Sequence, residues 1–513
     1  MTDPATTPTD ADADARGPLP GRTGPARPAS LDPAAIAAVD AVMRACVADH
    51  DTPGVAWGVV LDGALVHAGG AGTTDVSGGA DGAGGPVPGA RTLFRIASMT
   101  KSFTAAAVLA LRDDGAFRLD DPIAAHVPEA AALQGPTADS PAVTVRDLLC
   151  MGGGLPSDDA WADRHLDITD AELAAALVPG AWFAWTPGTA WQYSNLGYAL
   201  LGRLVAGAAG RSCQAEITAR LLRPLGLHDT VWAARPVHTD RALGHRRTDD
   251  RWVIDEPPPL GDGAIAPMGG LWSTVADLAG WVAFLLDAFP ARDGRDDGPL
   301  RRASRREMQQ AWRAVGPPHT TTCAVCGQVR GRADGYGAGL RVAHDTHLGP
   351  VVAHAGGLPG FGSNMRWLPE RGVGVVALGN ATYAPMSTAT LAALDALHHG
   401  ALLPPVRPRP VPPVLAAAAT ALVALLDDWD DRRADALFAD NVALDDPYER
   451  RRADAAALVA RLGRLTLAGV SADGDAEATV TVRGERGTAE LLLQLHPLLP
   501  PKVQWYEATV DEA

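Results

Sequence analysis

Lysine is almost missing from this chain. Of 44 basic residues only two, Lys101 and Lys502, are lysines, and the other 42 are arginines. A surface charge is written here as arginine, so Lys101 calls for a chemical reason. A buried or cation-crowded ammonium can lose its proton near neutral pH, and a guanidinium cannot. Cysteine is scarce as well: five in 513 residues do not make a disulfide framework, in keeping with a reducing compartment. The longest apolar stretch outside the N-terminus, Val414 to Leu426, is shorter than the ~20 residues that cross a bilayer. Positive charge is in deficit, 44 basic against 60 acidic residues for a net −16, which argues against a phosphate-binding surface and against nucleic acid as a partner. Residues 1–30, rich in Pro, Thr, Ala and Asp, lack any apolar run and read as a disordered tail, not a secretory signal. Together these shortages predict a cytoplasmic protein with no membrane partner.

A chain of this length predicts two or three domains. "LDPAAIAAVDAVMRACVAD" repeats apolar residues at helical spacing behind Asp32 and Pro33, a cap and first-turn pair. Asp62-Gly63 suits the tight turn of a hairpin between two short strands. A helix is expected from Ser98 to Leu111, ended by Gly115, and a mainly helical region from about 120 to 260. Another helix should begin near Ser273 or Thr274. The stretches "YGAGLRVA", "GPVVAHAGG", "SNMRWLPE" and "GVGVVALGN" alternate like consecutive antiparallel strands, followed by a helix from roughly 385 to 398. The proline-dense segment at 401–413 marks a linker, and 414–513 reads as a separate small α+β domain.

Three stretches carry chemistry. Ser98 and Lys101 are three apart, which places them on one helix face, with Ser98 where free backbone N–H groups favour a developing anion. Serine needs a base to become a nucleophile, and an amine that can be neutral is one. In "Tyr193-Ser194-Asn195" an extended backbone would turn Tyr193 and Asn195 into one pocket and Ser194 away. In "HAGGLPGFGS", starting at His354, Gly356 and Gly357 would let a substrate backbone lie along a strand edge, with a free N–H to bind an oxyanion.

These stretches, in this order, resemble the serine hydrolases related to class C β-lactamases, D-alanyl-D-alanine carboxypeptidases and family VIII esterases. The resemblance spans about residues 32 to 398 and includes "LRDDGAFRLDDPI", "VTVRDLLCMGGGLP", "PLGLHDT" and "MGGLWSTVADLAGW". It implies an α/β (α+β) fold of the β-lactamase/transpeptidase type at 31–400, with an antiparallel sheet flanked by helices and a helical insertion. It also implies Ser98 as acylated nucleophile, Lys101 as its proton-transfer partner, Tyr193 as general base or acid, and Asn195 as a holder of a substrate amide. The backbone N–H groups of Ser98 and Gly357 would form the oxyanion hole, with no metal or cofactor.

The chain departs from the family where many members carry Lys-Thr-Gly and it carries His354-Ala355-Gly356, with His354 expected as a fourth catalytic residue beside Ser98, Lys101 and Tyr193. A neutral histidine attracts a substrate carboxylate less than lysine does, so a small ester, amide or peptide is the expected substrate, a D-amino acid derivative among them. β-Lactamase or D-Ala-D-Ala carboxypeptidase activity is the alternative, a non-catalytic binding module the second, and the oligomeric state stays open. "MGGGLP" lacks the His and Ser that relatives often carry there and is expected to be structural. "HTTTCAVCG" offers His319, Cys323 and Cys326, with His344 and His347 further on. A lone Cys-x-x-Cys without a second pair reads as a surface loop or redox-prone pair before it reads as zinc.

Overall fold

A computed structural model describes residues 30–49, 52–77, 84–234, 240–255, 263–290, 292 and 294–510. The expected N-terminal tail lies, but for Ser30, outside the described residues. The chain divides into Met1–Pro405 and Val406–Ala513.

The larger unit is built on one antiparallel sheet. Its strands are β1 (Gly54–Leu61), β2 (Ala64–Gly72), β3 (Arg313–Ala314), β4 (His319–Thr322), β5 (Val329–Tyr336), β6 (Arg341–Asp345), β7 (Gly349–Leu358), β8 (Phe361–Leu368) and β9 (Val373–Gly379). They lie in the order β2-β1-β9-β8-β7-β6-β5-β3, with β4 paired to β5. The β1–β2 hairpin turns through Asp62 (φ 50°) and Gly63 (φ 81°), the two positive values that match the twist of the strands.

Every residue of β1 is buried, because alternate side chains feed two different cores. Val55, Trp57 and Val59 pack with α1 (Pro33–Ala48) on one face, and Ala56 and Val60 join the core of the helical region on the other. Asp32 caps α1 by accepting from the Ala34 N–H at 2.7 Å.

The helix expected at Ser98 starts one turn differently. A single 3₁₀ turn, Ala97–Met99, precedes α2 (Thr100–Asp113), and Gly115 at φ 85° follows its end. Ser194 does not merely turn aside: its hydroxyl accepts from the Gly197 N–H at 3.3 Å and caps α3 (Asn195–Ala209), so Asn195 is a first-turn helix residue, not part of an extended loop. Thr274, not Ser273, caps α4 (Val275–Leu286). The last helix of this unit is α5 (Met386–His399).

The smaller unit holds α6 (Pro413–Asp427), α7 (Asp431–Leu437), α8 (Asp440–Asp445) and α9 (Tyr448–Leu462), then an antiparallel meander. Its strands are β10 (Thr466–Ala472), β11 (Glu477–Gly484), β12 (Gly487–Leu495) and β13 (Val503–Val510). Leu415, Leu422, Phe438, Val480 and Leu491 share its own core. Among the described residues no helix is long and apolar enough to cross a membrane.

Candidate active site

The segment before α2 is clamped on two sides. The Ile96 N–H donates to Leu271 O at 3.0 Å, and the Ser363 hydroxyl of β8 donates to Ile96 O at 2.8 Å. Between them Ala97 adopts φ 48°. For a residue with a Cβ this left-handed conformation costs about 1–3 kcal/mol and persists only where its surroundings enforce it. The bend delivers Ser98 to the start of the helix with 9% of its surface accessible, while Lys101, one turn on, is fully buried.

Lys101 Nζ has three oxygen neighbours: Ser98 Oγ at 2.9 Å, Asn195 Oδ1 at 2.7 Å and the Met268 carbonyl at 2.8 Å. A carbonyl and an amide oxygen can only accept, so they claim two N–H bonds whatever the amine's charge. A neutral amine has only two. Its lone pair is then left facing Ser98, the one neighbour of the three with a proton to give. Burial drives Lys101 down to about 7, against the opposing pull of Asp159, Asp158 and Asp163. Both protonation states are therefore populated near neutral pH, which answers why lysine stands here in an arginine-writing chain.

Tyr193 lies over the same amine, its ring centroid 4.8 Å from Nζ, with its hydroxyl near enough to Ser98 to feel it electrostatically. The residue is half-buried overall, and burial of the hydroxyl followed by the nearby Tyr336 raises this phenol well above its ordinary value. It is a protonated donor at neutral pH, not a phenolate. The loop carrying it rests on "MGGGLP": the Met151 carbonyl accepts from the Gln192 N–H and the Gly152 carbonyl from the Gly188 N–H, both at 2.8 Å. That stretch braces the loop through its backbone.

His354 is 3% exposed. Nδ1 lies 2.6 Å from Ala355 O, which can only accept, so Nδ1 carries the hydrogen and Nε2 accepts from the Tyr336 hydroxyl at 2.9 Å. Burial, then the charge of Lys101, pushes its pKa down to about 3. The ring stays 6.5 Å from that of Tyr193, centroid to centroid. Both its nitrogens are engaged, and it carries no charge near neutral pH.

Asn195 is fully buried, its Oδ1 taken by Lys101 and its Nδ2 donating to Asp159 Oδ1 at 2.8 Å, so it holds the lysine. Gly356 serves close packing: a Cβ there would fall on Ile96 O and the Ser363 hydroxyl. Gly357 is pressed against Tyr383, whose ring a Cβ would meet at 2.5 Å. The β6 ladder ends at Ala353, whereas β8 pairs on through Leu358, so His354–Leu358 has no β6 partner on its other side.

Sequence reading missed an acidic group. Asp158 accepts from the N–H groups of Asn195 (2.7 Å) and Leu196 (2.8 Å) at the start of α3. Asp163 accepts from the Tyr383 hydroxyl at 2.6 Å, and burial raises its pKa to about 6. A cation, Arg341, lies over the Trp191 ring at 5.1 Å from its centroid, and its charge acts on Tyr193 and His354. None of these carries a motif; the short "SDDAWAD" run was the one visible signal.

A family model described as Beta-lactamase matches residues 39–400. The chain belongs to the beta-lactamase family. This beta-lactamase-family chain is 27% identical over 295 residues to "Protein flp" of Staphylococcus aureus (strain MW2), covering 56% of this chain and 53% of that one. It is 25% identical over 288 residues to the D-alanyl-D-alanine-carboxypeptidase/endopeptidase AmpH of Escherichia coli (strain K12), covering 55% and 69%. The match spans about half the length of the S. aureus protein. Two solved structures share the fold. The octameric penicillin-binding protein homologue from Pyrococcus abyssi has TM-score 0.58 at 22% identity, over 93% of this chain and 96% of that one. The D-stereospecific amidohydrolase from Streptomyces sp. has TM-score 0.52 at 24% identity, over 70% and 97%.

Proposed function

We propose that this chain is a cytoplasmic serine hydrolase that opens a small ester or amide, D-amino acid derivatives included, through an acyl-enzyme on Ser98. The observation that carries this reading is the coordination of Lys101, which leaves its lone pair nothing to accept from but the Ser98 hydroxyl.

In the proposed cycle neutral Lys101 takes the Ser98 proton as Oγ attacks the substrate carbonyl carbon. The Ser98 and Gly357 N–H groups receive the oxyanion. Tyr193, a neutral phenol, donates a proton to the departing alkoxide or amine and is reprotonated from Lys101. The carbon–heteroatom bond breaks, leaving an ester on Ser98, and water attacks that ester by the same route in reverse. Tyr336 and His354 hold the wall beside Tyr193.

Substrate charge follows from what surrounds the amine. His354 supplies no cation where relatives carry lysine, and Asp158, Asp159 and Asp163 favour a substrate amino group on their side. Arg341 supports the alternative reading, a carboxylate-bearing peptide or β-lactam. The test is turnover of p-nitrophenyl esters, D- and L-amino acid amides and a chromogenic cephalosporin, each against Ser98→Ala. Ester or D-amide turnover that Ser98→Ala abolishes supports the proposal; turnover of the cephalosporin alone contradicts the preferred substrate class.

A further inference from the structure

The Cys-x-x-Cys that sequence alone left as a surface loop has partners from elsewhere in the fold. Cys323 follows β4, and Cys326 sits in the turn to β5. The turn is built like a metal knuckle: the Gly327 N–H donates to Cys323 O at 3.0 Å, Gly327 takes φ 71°, and the N–H groups of Cys326 and Val325 point at the Cys323 sulfur. His347 comes from the turn between β6 and β7, and His399 is the last residue of α5.

One ligand atom from each of Cys323, Cys326, His347 and His399 lies within 4.8 Å of all the others. Cys323 Sγ and His399 Nε2 are already 3.4 Å apart. Ligands bound at about 2.0–2.3 Å around a tetrahedral zinc ion sit roughly 3.3–3.8 Å from one another, so at most a small inward adjustment closes the set. A second observation is independent of that spacing. Both ring nitrogens of His347 are buried and, among the described residues, have no hydrogen-bond partner, an arrangement that costs about 1–3 kcal/mol per group unless something fills it.

We propose that Cys323, Cys326, His347 and His399 bind one zinc ion. Two thiolates and two imidazoles are a donor set that selects zinc over the hard cations, and four protein ligands leave no open position for catalysis. The site is structural. It ties the β4–β5 hairpin, paired to the sheet through β5 alone, to the β6–β7 turn and the end of α5. Since β5 ends at Tyr336, which holds His354, the ion stiffens one wall of the active site from a distance. His319 and His344, nearer Cys323 or Cys326 in sequence than His399 is, are not members of the group.

The test is metal content of the full chain purified under reducing conditions, with cobalt(II) substitution as a second readout. About one zinc per chain is expected, with a cobalt spectrum showing tetrahedral coordination and thiolate-to-metal charge transfer. Cys326→Ser and His399→Ala should each weaken cobalt binding at least about 100-fold, while His344→Ala leaves it unchanged. Cys326 is exposed, so its replacement does not threaten the core. A chain that takes up no zinc or cobalt, that carries instead a Cys323–Cys326 disulfide, or whose cobalt spectrum survives Cys326→Ser overturns the proposal.

Discussion

The Ile96 carbonyl occupies the space that a side chain on Gly356 would need, and the Ser363 hydroxyl fixes that carbonyl at 2.8 Å. The nucleophile's bend and the open edge of β7 are therefore set by one packing contact. Gly356→Ala cannot be absorbed by a flexible side chain, because the atom it meets is backbone. It should destabilise the protein by about 1–3 kcal/mol and cut kcat at least tenfold, measured by thermal unfolding and ester turnover on the same samples. Gly115→Ala, where a Cβ meets nothing within 4 Å but φ is 85°, should cost stability without touching kcat.

Lys101 titrates at about 7 in the folded chain and His354 at about 3. The kcat/KM profile should rise with pH through a limb near 7, as the amine becomes neutral, and show no histidine limb between 5 and 7. His354→Gln should lower the rate and leave that limb in place. Lys101→Arg should lose activity by about 10³-fold or more, because a guanidinium stays charged.

The same depressed value has a stability consequence of definite sign. Between about 7 and the ordinary lysine value of 10.5 the unfolded chain holds a proton that the folded chain has released, so stability rises with pH across that window. Lys101→Met should remove this rise and be at least as stable as wild type below pH 7, as read by denaturant unfolding at pH 6 and pH 9.

Tyr193 is held as a neutral phenol by burial. Tyr193→Phe keeps the ring over Lys101 and deletes only the donor, so kcat should fall by about 10²–10⁴-fold with KM little changed. Amide substrates, whose leaving amines need a proton more than phenolates do, should suffer more than p-nitrophenyl esters.

Asp163→Asn should weaken kcat/KM for substrates with a free amino group by about tenfold and spare neutral esters, while Arg341→Ala should do so only for carboxylate-bearing ones. A paired substrate series read on both variants separates the two sides of the site.

What was legible in the sequence was local. Ser98 and Lys101 are one helical turn apart, Asp32 and Pro33 start a helix, and Asp62-Gly63 make a hairpin, all through contacts a few residues long. The Met268 carbonyl that completes the lysine's coordination is 167 residues away, at the start of "MGGLWSTVADLAGW", and a backbone carbonyl leaves no mark of its role in the residue type. The contact of Asn195 with Lys101 was not legible because it depends on the helix start that Ser194 caps, which turns Asn195 inward. His399 escaped notice because only the packing of α5 beside the β4–β5 hairpin brings it to Cys323.

The most direct measurement is the intact mass of the full chain after incubation with a fluorophosphonate, in which Ser98 Oγ forms a bond to phosphorus as fluoride leaves. One adduct per chain on the wild type, none on Ser98→Ala, and a labelling rate that rises with pH through about 7 are the expected results. No adduct on the wild type, or an equal adduct on Ser98→Ala, contradicts Ser98 as the lysine-activated nucleophile.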